Sequence, residues 1–287
     1  MEFAGVEAFR ADIQRGGLAP GPVALIFAED EVEVGSTVAH HRRLGFANIA
    51  VFGRAGDLGE LAGEDGLHIV EAEVTGREWV AEQLNRLIDP LAGRWLYYGF
   101  NAEYLFFPYC ETRRIGDLVA FMLEERRQAV YAYALDLYAD DLGLAPSGVS
   151  RERAHFDGAG YYSFQRFEGV APQDRQFDIF GGLGWRFEEH VPWERRRIDR
   201  ISLFEAQAGL RIDPRFLLSE AEMNTVACPW HHNLTVAVMS FRVAKSLKRN
   251  PGSTYEINSF LWPLSTRFDW SSQQLMERGF IEPGQWF

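Results

Sequence analysis

The stretch "VALIFA", from Val23 to Ala28, decides the fold. It contains six apolar residues in a row after the turn "PGP", and such a run is typical of a strand buried on both faces of a parallel sheet. Three further strands are predicted at "NIAVFG" (48–53), "LHIVEA" (67–72) and "RWLYYGF" (94–100). Helical spacing occurs in "EVGSTVAHHRRLGF" before the second strand and in "GREWVAEQLNRLI" before the fourth. Strands that alternate with helices predict a mostly parallel sheet flanked by helices.

The chain continues with a further helix, "IGDLVAFMLEERR", and a strand, "QAVYAYALDLY". Residues 140–160 are rich in Gly, Ala and charge, and we predict a long loop there. Residues 1–140 are therefore predicted to form the ligand-binding α/β half. Residues 141–287 are predicted to form a second half with an aromatic-rich C-terminal extension, and both halves are predicted to belong to one continuous domain.

Composition and charge limit the classes of partner and location. The formal net charge is −12, which argues against a nucleic-acid partner. The first residues are acidic with helical spacing, unlike a signal peptide, and no apolar run approaches the roughly 20 residues of a membrane span. Cys110 and Cys228 lie far apart without a CxxC pattern, which favours free thiols. We expect a cytoplasmic protein without a transmembrane segment, and the cations of "RVAKSLKRN" permit peripheral membrane contact.

Polar residues gather where a ligand is expected. In open α/β sheets, ligands bind beyond the carboxyl ends of the strands, near the point where the strand order reverses. The residues at these ends are Glu29 and Asp30 after the first strand, Arg54 and Asp57 after the second, and Asn101 and Glu103 after the fourth. The dinucleotide pattern GxGxxG, the phosphate loop GxxxxGK[ST] and the GxSxG elbow do not occur.

Several segments together resemble a known family. They are "AHHRRLGFANIAVFG", "NAEYLFFP" with the later "RRIGDLVAFM", "FGGLGWRF", and "NTVACPWHHNLTVAVMSFRVAKSLKRN". Their order resembles the bacterial family 2-like glycosyltransferases of the GT-A fold. The resemblance implies a Rossmann-like GT-A sheet and transfer of a sugar from a nucleotide-sugar to a glycan or other cell-surface acceptor. It also implies that the polar loop residues named above, in the half 1–140, bind the nucleotide-sugar and that residues 141–287 form the acceptor-side half.

The chain departs from the family at its metal-binding signature. The family uses two aspartates before a Glu-Phe-Leu sequence to hold a divalent metal and the ribose of the donor. Phe100 and Ala102 stand at those positions, ahead of Glu103. A hard cation such as Mn²⁺ or Mg²⁺ prefers several oxygen ligands, so this departure weakens the expected metal site. The alternative is a catalytically inactive relative that binds a glycan, a nucleotide or a protein.

Glu103 has two interpretations. In the functional one, Glu103 is a catalytic or metal-binding carboxylate that acts with Asn101 at the strand end. In the structural one, its carboxylate accepts backbone N–H groups in a tight turn or pairs with Arg113 or Arg114. A buried carboxylate needs such partners, because leaving water costs it several kcal/mol.

The second half offers two histidines as further metal ligands. His231 and His232 are the candidates, because a neutral imidazole binds most divalent ions. A protonated histidine would instead contact a diphosphate. A structural interpretation places one of them, hydrogen-bonded to backbone, in an aromatic cluster.

Other residues of the second half have candidate roles in sugar transfer. Asp178 is the candidate general base for an acceptor hydroxyl, and Glu188, Glu189, Glu220 and Glu222 are alternatives. Arg186 and the run 195–197 are candidate cations for a pyrophosphate, and a solvated helix start balanced by nearby glutamates is the alternative. Trp185, Trp193 and Trp230 are candidates for stacking on sugar rings, and a place in the hydrophobic core is the alternative for each.

Overall fold

A computed structural model describes residues 1–58, 61, 65–229 and 231–286. The strands are β1 (Glu2–Phe3), β2 (Val23–Phe27), β3 (Asn48–Gly53), β4 (Leu67–Glu71), β5 (Trp95–Phe100), β6 (Glu103–Phe106), β7 (Ala129–Ala139), β8 (Ala154–Asp157), β9 (Tyr162–Glu168), β10 (Ala171–Phe180), β11 (Asp199–Glu205), β12 (Thr235–Ser240) and β13 (Ser265–Arg267). The helices are α1 (Val6–Gln14), α2 (Val34–Arg43), α3 (Ala55–Leu58), α4 (Arg77–Ile88), α5 (Ile115–Glu124), α6 (Gly182–Arg186), α7 (Arg242–Arg249) and α8 (Ser272–Glu277).

The chain forms two compact units, and each is built from three separate segments of the sequence. The first unit comprises residues 1–104, 110–131 and 200–224, and the second comprises 105–109, 132–199 and 225 onward. Residues 200–224 belong to the first unit although they follow residue 140, and the division into halves at residue 140 stays a prediction. Among the helices that the structure describes, none is long and apolar enough to cross a membrane.

The first unit contains a mostly parallel sheet. Its neighbouring strands run in the order β1, β4, β3, β2, β5 and β11, and the pairs up to β5 are parallel. β11 joins the edge of β5 in the antiparallel direction, with Leu203 opposite Tyr97. β2 and β3 are buried along their whole length, as the continuous apolar runs predict. Burying a side chain such as Phe27 contributes about 1.5–3 kcal/mol.

The strand order reverses between β2 and β5. From β2 the chain passes through α2 to β3 and then to β4, and from β4 it returns through α4 to the other side of β2. Since crossovers between parallel strands are right-handed, α2 and α4 lie on opposite faces of the sheet. The carboxyl ends of β2 and β5 therefore meet at the topological switch point.

The four predicted parallel strands and the helices between them are confirmed. The predicted long loop at 140–160 is wrong in part, because β8 (Ala154–Asp157) lies in it and pairs with both β7 and β13. The four residues of β8 are too few to show a period. β11 was not predicted, since charged residues occupy three of its seven positions.

The second unit contains shorter antiparallel pairs. β9 and β10 form a two-stranded ribbon, with Phe180 opposite Tyr162 at one end. The C-terminal aromatic residue Trp286 lies against Phe107 and Tyr109, with ring centroids 6.3 and 6.4 Å apart. The end of the described chain is therefore packed on the second unit.

Candidate functional site

Asn101 ties two loops together at the switch point of the first unit. Its Oδ1 accepts the backbone N–H of Glu29 at 2.9 Å. Its Nδ2 donates to Asp30 Oδ1 at 2.6 Å and to the carbonyl of Val32 at 2.8 Å. The side chain is fully buried, and Asp30 is nearly so. The structure thus brings Asn101, Glu29 and Asp30 together, and the amide fixes the path of the loop after β2.

Glu103 forms a buried ion pair. Its Oε2 lies 2.5 Å from a guanidinium nitrogen of Arg200 and also accepts the backbone N–H of Phe100 at 2.9 Å. The Arg200 Nε donates to Ser202 Oγ at 2.6 Å, and the guanidinium lies 5.7 Å from the ring centroid of Tyr98. Both charged side chains are at most 5% exposed. The carboxylate is therefore enclosed by protein groups that neutralise it.

These contacts correspond to the structural interpretation of Glu103. The backbone contact is the one expected, whereas the partner is Arg200 and not Arg113 or Arg114. Tyr104 is fully buried beside Glu103. Sequence reasoning missed Arg200 because the two partners lie 97 residues apart. The signal available in the sequence was a cation directly before the apolar residues Ile201, Leu203 and Phe204.

His41 lies in the same buried region and is uncharged at neutral pH. Its Nδ1 lies 2.8 Å from the carbonyl oxygen of Thr37, and its ring stacks on Tyr97 with centroids 4.7 Å apart. Burial lowers the pKa of His41 to about 4, against the smaller raising effects of Thr37 and Glu103. A neutral imidazole inside the aromatic packing is a structural group.

Exposed charged residues line the same edge of the sheet. Glu29 is exposed after β2. Arg54 follows β3 and forms an exposed ion pair with Glu73. Asp57 is half-buried in the short helix α3. Arg54 and Asp57 both follow β3, and their contact with a nucleotide-sugar stays a prediction.

Asp178 lies in the second unit within a network of charged side chains. Its Oδ1 is 2.8 Å from Arg166 Nε and 3.3 Å from a guanidinium nitrogen of Arg197. Arg166 also binds the buried Asp199 at 2.8 Å. The Asp178 side chain keeps 23% of its exposure. Two guanidinium groups therefore lie beside this partly exposed carboxylate.

Arg186 is part of a buried cluster around Asp157. Its guanidinium lies 2.8 Å from Asp157 Oδ1 and donates to the carbonyl of Phe260 at 2.6 Å. The same carboxylate oxygen accepts the Tyr138 hydroxyl at 2.5 Å and the Trp262 indole N–H at 2.7 Å. The guanidinium of Arg186 is therefore bound by groups of the second unit. Its contact with a pyrophosphate stays a prediction.

Asp136 is a buried carboxylate that the sequence analysis missed. Its Oδ2 accepts the N–H of Leu183 at 2.7 Å, at the start of α6. Burial raises the pKa of Asp136 to about 7, with a further contribution from Asp157. The preceding residue, Gly182, has φ +68°, and a Cβ there would lie 2.5 Å from Asp136 Oδ2. The glycine pair of "FGGLGWRF" was the signal for this close approach.

The histidine pair also lies in the second unit. The Nδ1 of His231 is 3.0 Å from the Sγ of Cys228, and His232 is exposed. The described residues contain no group of three or more His, Cys, Asp or Glu side chains that could hold a metal ion. Glu103 belongs to the first unit. Metal binding by Glu103, His231 and His232 therefore stays a prediction.

Two of the three candidate tryptophans form an aromatic cluster. Trp193 stacks on Phe180 with centroids 4.7 Å apart, and Trp185 lies 5.3 Å from Tyr162. Trp193 is 53% exposed, so one face of this cluster is open to a ligand. Trp230 lies outside the described residues.

Comparisons with known proteins do not identify a family. No protein-family model matches the chain, and no curated protein matches it. The solved structures similar to it include a putative glucose-1-phosphate thymidylyltransferase from Bacillus anthracis in complex with a sucrose. That similarity has 9% identity and a TM-score of 0.33, and it covers 83% of this chain and 79% of the other. A likeness of this size does not carry an argument about function.

Proposed function

We propose that the first unit binds a nucleotide, or the nucleotide part of a nucleotide-sugar, at the carboxyl ends of β2 and β5. The observation that carries the proposal is the Asn101 contact set, which fixes the loop after β2 at the switch point. A loop already held in place loses little entropy when a ligand binds. The resemblance to GT-A glycosyltransferases supports the choice of a nucleotide.

Glu103 has a structural role in this proposal. Its carboxylate neutralises Arg200 inside the unit, so it is not assigned to a metal ion or to catalysis. The exposed carboxylates Glu29 and Glu31 make the edge of the sheet acidic. A nucleotide phosphate is repelled by that charge unless a divalent cation screens it. Mn²⁺ or Mg²⁺ is therefore expected to strengthen binding without Glu103.

Calorimetric titration with UDP, GDP, CMP and dTDP, each with and without Mn²⁺, tests the proposal. The Asn101→Ala variant should bind at least tenfold more weakly, because the loop after β2 loses its anchor. Asn48→Ala is the matched control, since Asn48 is equally buried and its amide binds both backbone groups of Ala19 at the amino end of β3. Binding that is absent from the wild-type protein, or equally weakened in both variants, contradicts the proposal.

Glycosyl transfer to a glycan or other cell-surface acceptor is a second candidate. Asp178 favours it, because this carboxylate is partly exposed and lies beside two guanidinium groups. Release of nucleoside diphosphate from a panel of nucleotide-sugars, in the presence of bacterial surface glycans, tests it. If transfer occurs, Asp178→Asn should lower kcat at least 100-fold while nucleotide affinity stays unchanged. An unchanged kcat would remove Asp178 from the mechanism.

A further inference from the structure

A cavity opens in the first unit, beside the outer strand of its sheet. Its volume is about 530 Å³, which is within the range of small-molecule sites. Three segments line it: the first turn of α1, the end of β4 with Ala72, and one side of α4 that includes Trp79 and Gln83. We call it the Gln83 pocket. None of the residues of the Asn101 contact set lines it.

Gln83 is the polar group that requires an explanation. Its side chain is 4% exposed, so more than nine-tenths of it is buried. Within the described part of the chain, its amide makes no hydrogen bond. Neither amide atom is completely shielded from solvent. The amide therefore keeps its remaining exposure towards the pocket that it lines. An unpartnered buried amide destabilises the fold, and a ligand with a matching hydrogen-bonding edge would satisfy it.

The first turn of α1 supplies hydrogen-bond donors to the same pocket. Gly5 precedes the helix without a side-chain cap, and Phe9 is the first residue whose N–H reaches back to the Gly5 carbonyl. The N–H groups of Val6, Glu7 and Ala8 precede that first bond, and the pocket is lined by all three residues. The pocket thus offers a row of donors suited to a carbonyl or ring-nitrogen acceptor.

The charged side chains at the rim of the Gln83 pocket disfavour an anionic ligand. Glu7, Glu71 and Glu82 line the pocket with Arg86 as the single cation, which leaves a formal charge of −2. Arg86 is already paired with Glu82 at 2.5 Å and with Glu7 at 3.3 Å. A phosphate or carboxylate would be repelled, whereas a neutral ligand with N–H groups would be accepted.

Trp79 adds an aromatic surface. Its indole ring meets the ring of Phe27 edge to face, with centroids 6.1 Å apart, and its side chain remains half-buried. Aromatic rings stack on every nucleobase, because each base has a π-face. An amide beside a flat ring can pair with the adjacent donor and acceptor on the edge of a base.

We propose that the Gln83 pocket binds a neutral nucleobase or nucleoside, with the base edge on the Gln83 amide and its face against Trp79. This site goes beyond the function proposed above, since it needs no phosphate, no metal ion and no contact with Asn101. A neutral base satisfies the amide and the donors of α1 without meeting the repulsion of the acidic rim.

Calorimetric titration of the whole chain with adenosine, guanosine, cytidine and uridine tests the proposal. At least one nucleoside should bind the wild-type protein, and Gln83→Leu should weaken that binding tenfold or more. Gln83→Leu should fold, because it replaces an unpartnered amide by an apolar group of similar size. Glu78→Gln is the control, because Glu78 is an exposed residue of α4 outside the pocket lining, and it should leave nucleoside affinity within about threefold of wild type.

Ala72→Phe provides a second variant that fills the pocket from its edge and should also remove nucleoside binding. Absence of binding for all four nucleosides at millimolar concentration would overturn the proposal. Equal affinity in wild type and Gln83→Leu would overturn it too. Nucleotide binding at the Asn101 contact set is measured separately, so the two proposals fail independently.

Discussion

At the scale of single residues, the structure separates buried charge from functional charge. Glu103 and Arg200 are held in one ion pair among aromatic side chains, and neither is more than 5% exposed. Asn101, two residues before Glu103, is equally buried, but its amide forms hydrogen bonds with the loop after β2. The same short segment therefore contains one group that stabilises the core and one that shapes the ligand edge.

Removing one partner of the Glu103–Arg200 pair should destabilise the protein. Glu103→Met leaves an uncompensated guanidinium in the core, and the expected loss is about 3–5 kcal/mol in the free energy of unfolding. The double variant Glu103→Met, Arg200→Met removes both charges and should lie within about 1 kcal/mol of wild type. Urea denaturation monitored by circular dichroism measures both. Equal losses in the single and double variants would contradict this account.

Asp136 should make stability fall as the pH rises. The folded protein holds the pKa of this carboxyl at about 7, against an ordinary value of 3.8, because of burial and of Asp157. The folded state therefore binds more protons than the unfolded state between these values. The contribution of Asp136 is complete below about pH 4 and is lost by pH 7, which amounts to at most about 4 kcal/mol.

Asp136→Asn should flatten this part of the pH profile, because the amide resembles the protonated acid. The measurement is the urea midpoint of both proteins at intervals from pH 4 to pH 8. His41 acts in the opposite direction, since its pKa is lowered to about 4 by burial and its contribution is lost as the pH falls from 6.5. Parallel profiles for wild type and Asp136→Asn would show that Asp136 does not titrate in this range.

At the scale of elements, the start of α6 shows how backbone geometry limits substitution. Gly182→Ala should destabilise the second unit by about 2 kcal/mol or more, since its φ is +68° and the new Cβ would lie 2.5 Å from Asp136 Oδ2. Gly116 is the matched control, because it lies in α5 with nothing within 4 Å of an added Cβ. Gly116→Ala should be neutral or stabilising by up to about 1 kcal/mol. Thermal unfolding of both variants checks the difference, and equal midpoints would contradict it.

The sequence predicts elements whose patterns are local and misses those that depend on distant partners. β2 and β3 are continuous apolar runs, and their burial follows from composition alone. The position of Asn101 follows from the rule about carboxyl ends. β11 escaped prediction because its cation, Arg200, is stabilised by Glu103, which lies 97 residues away. No local pattern contains that information.

At the scale of the whole molecule, two compact units share a chain that passes repeatedly between them. The first unit carries a parallel sheet with a fixed loop at its switch point, and the second carries the acidic residues Asp136, Asp157 and Asp178. The proposed nucleotide site needs only the first unit. Glycosyl transfer through Asp178 would need the second, so nucleotide affinity and turnover should respond to different substitutions.

The central claim is that the first unit binds a nucleotide without using Glu103 as a metal ligand. The most direct test is calorimetric titration of UDP, GDP, CMP and dTDP into the wild type and the double variant Glu103→Met, Arg200→Met, with and without Mn²⁺. This account predicts the same affinity and the same increase with Mn²⁺ in both proteins. Loss of the Mn²⁺ effect in a folded double variant, or no nucleotide binding by the wild type, would contradict it.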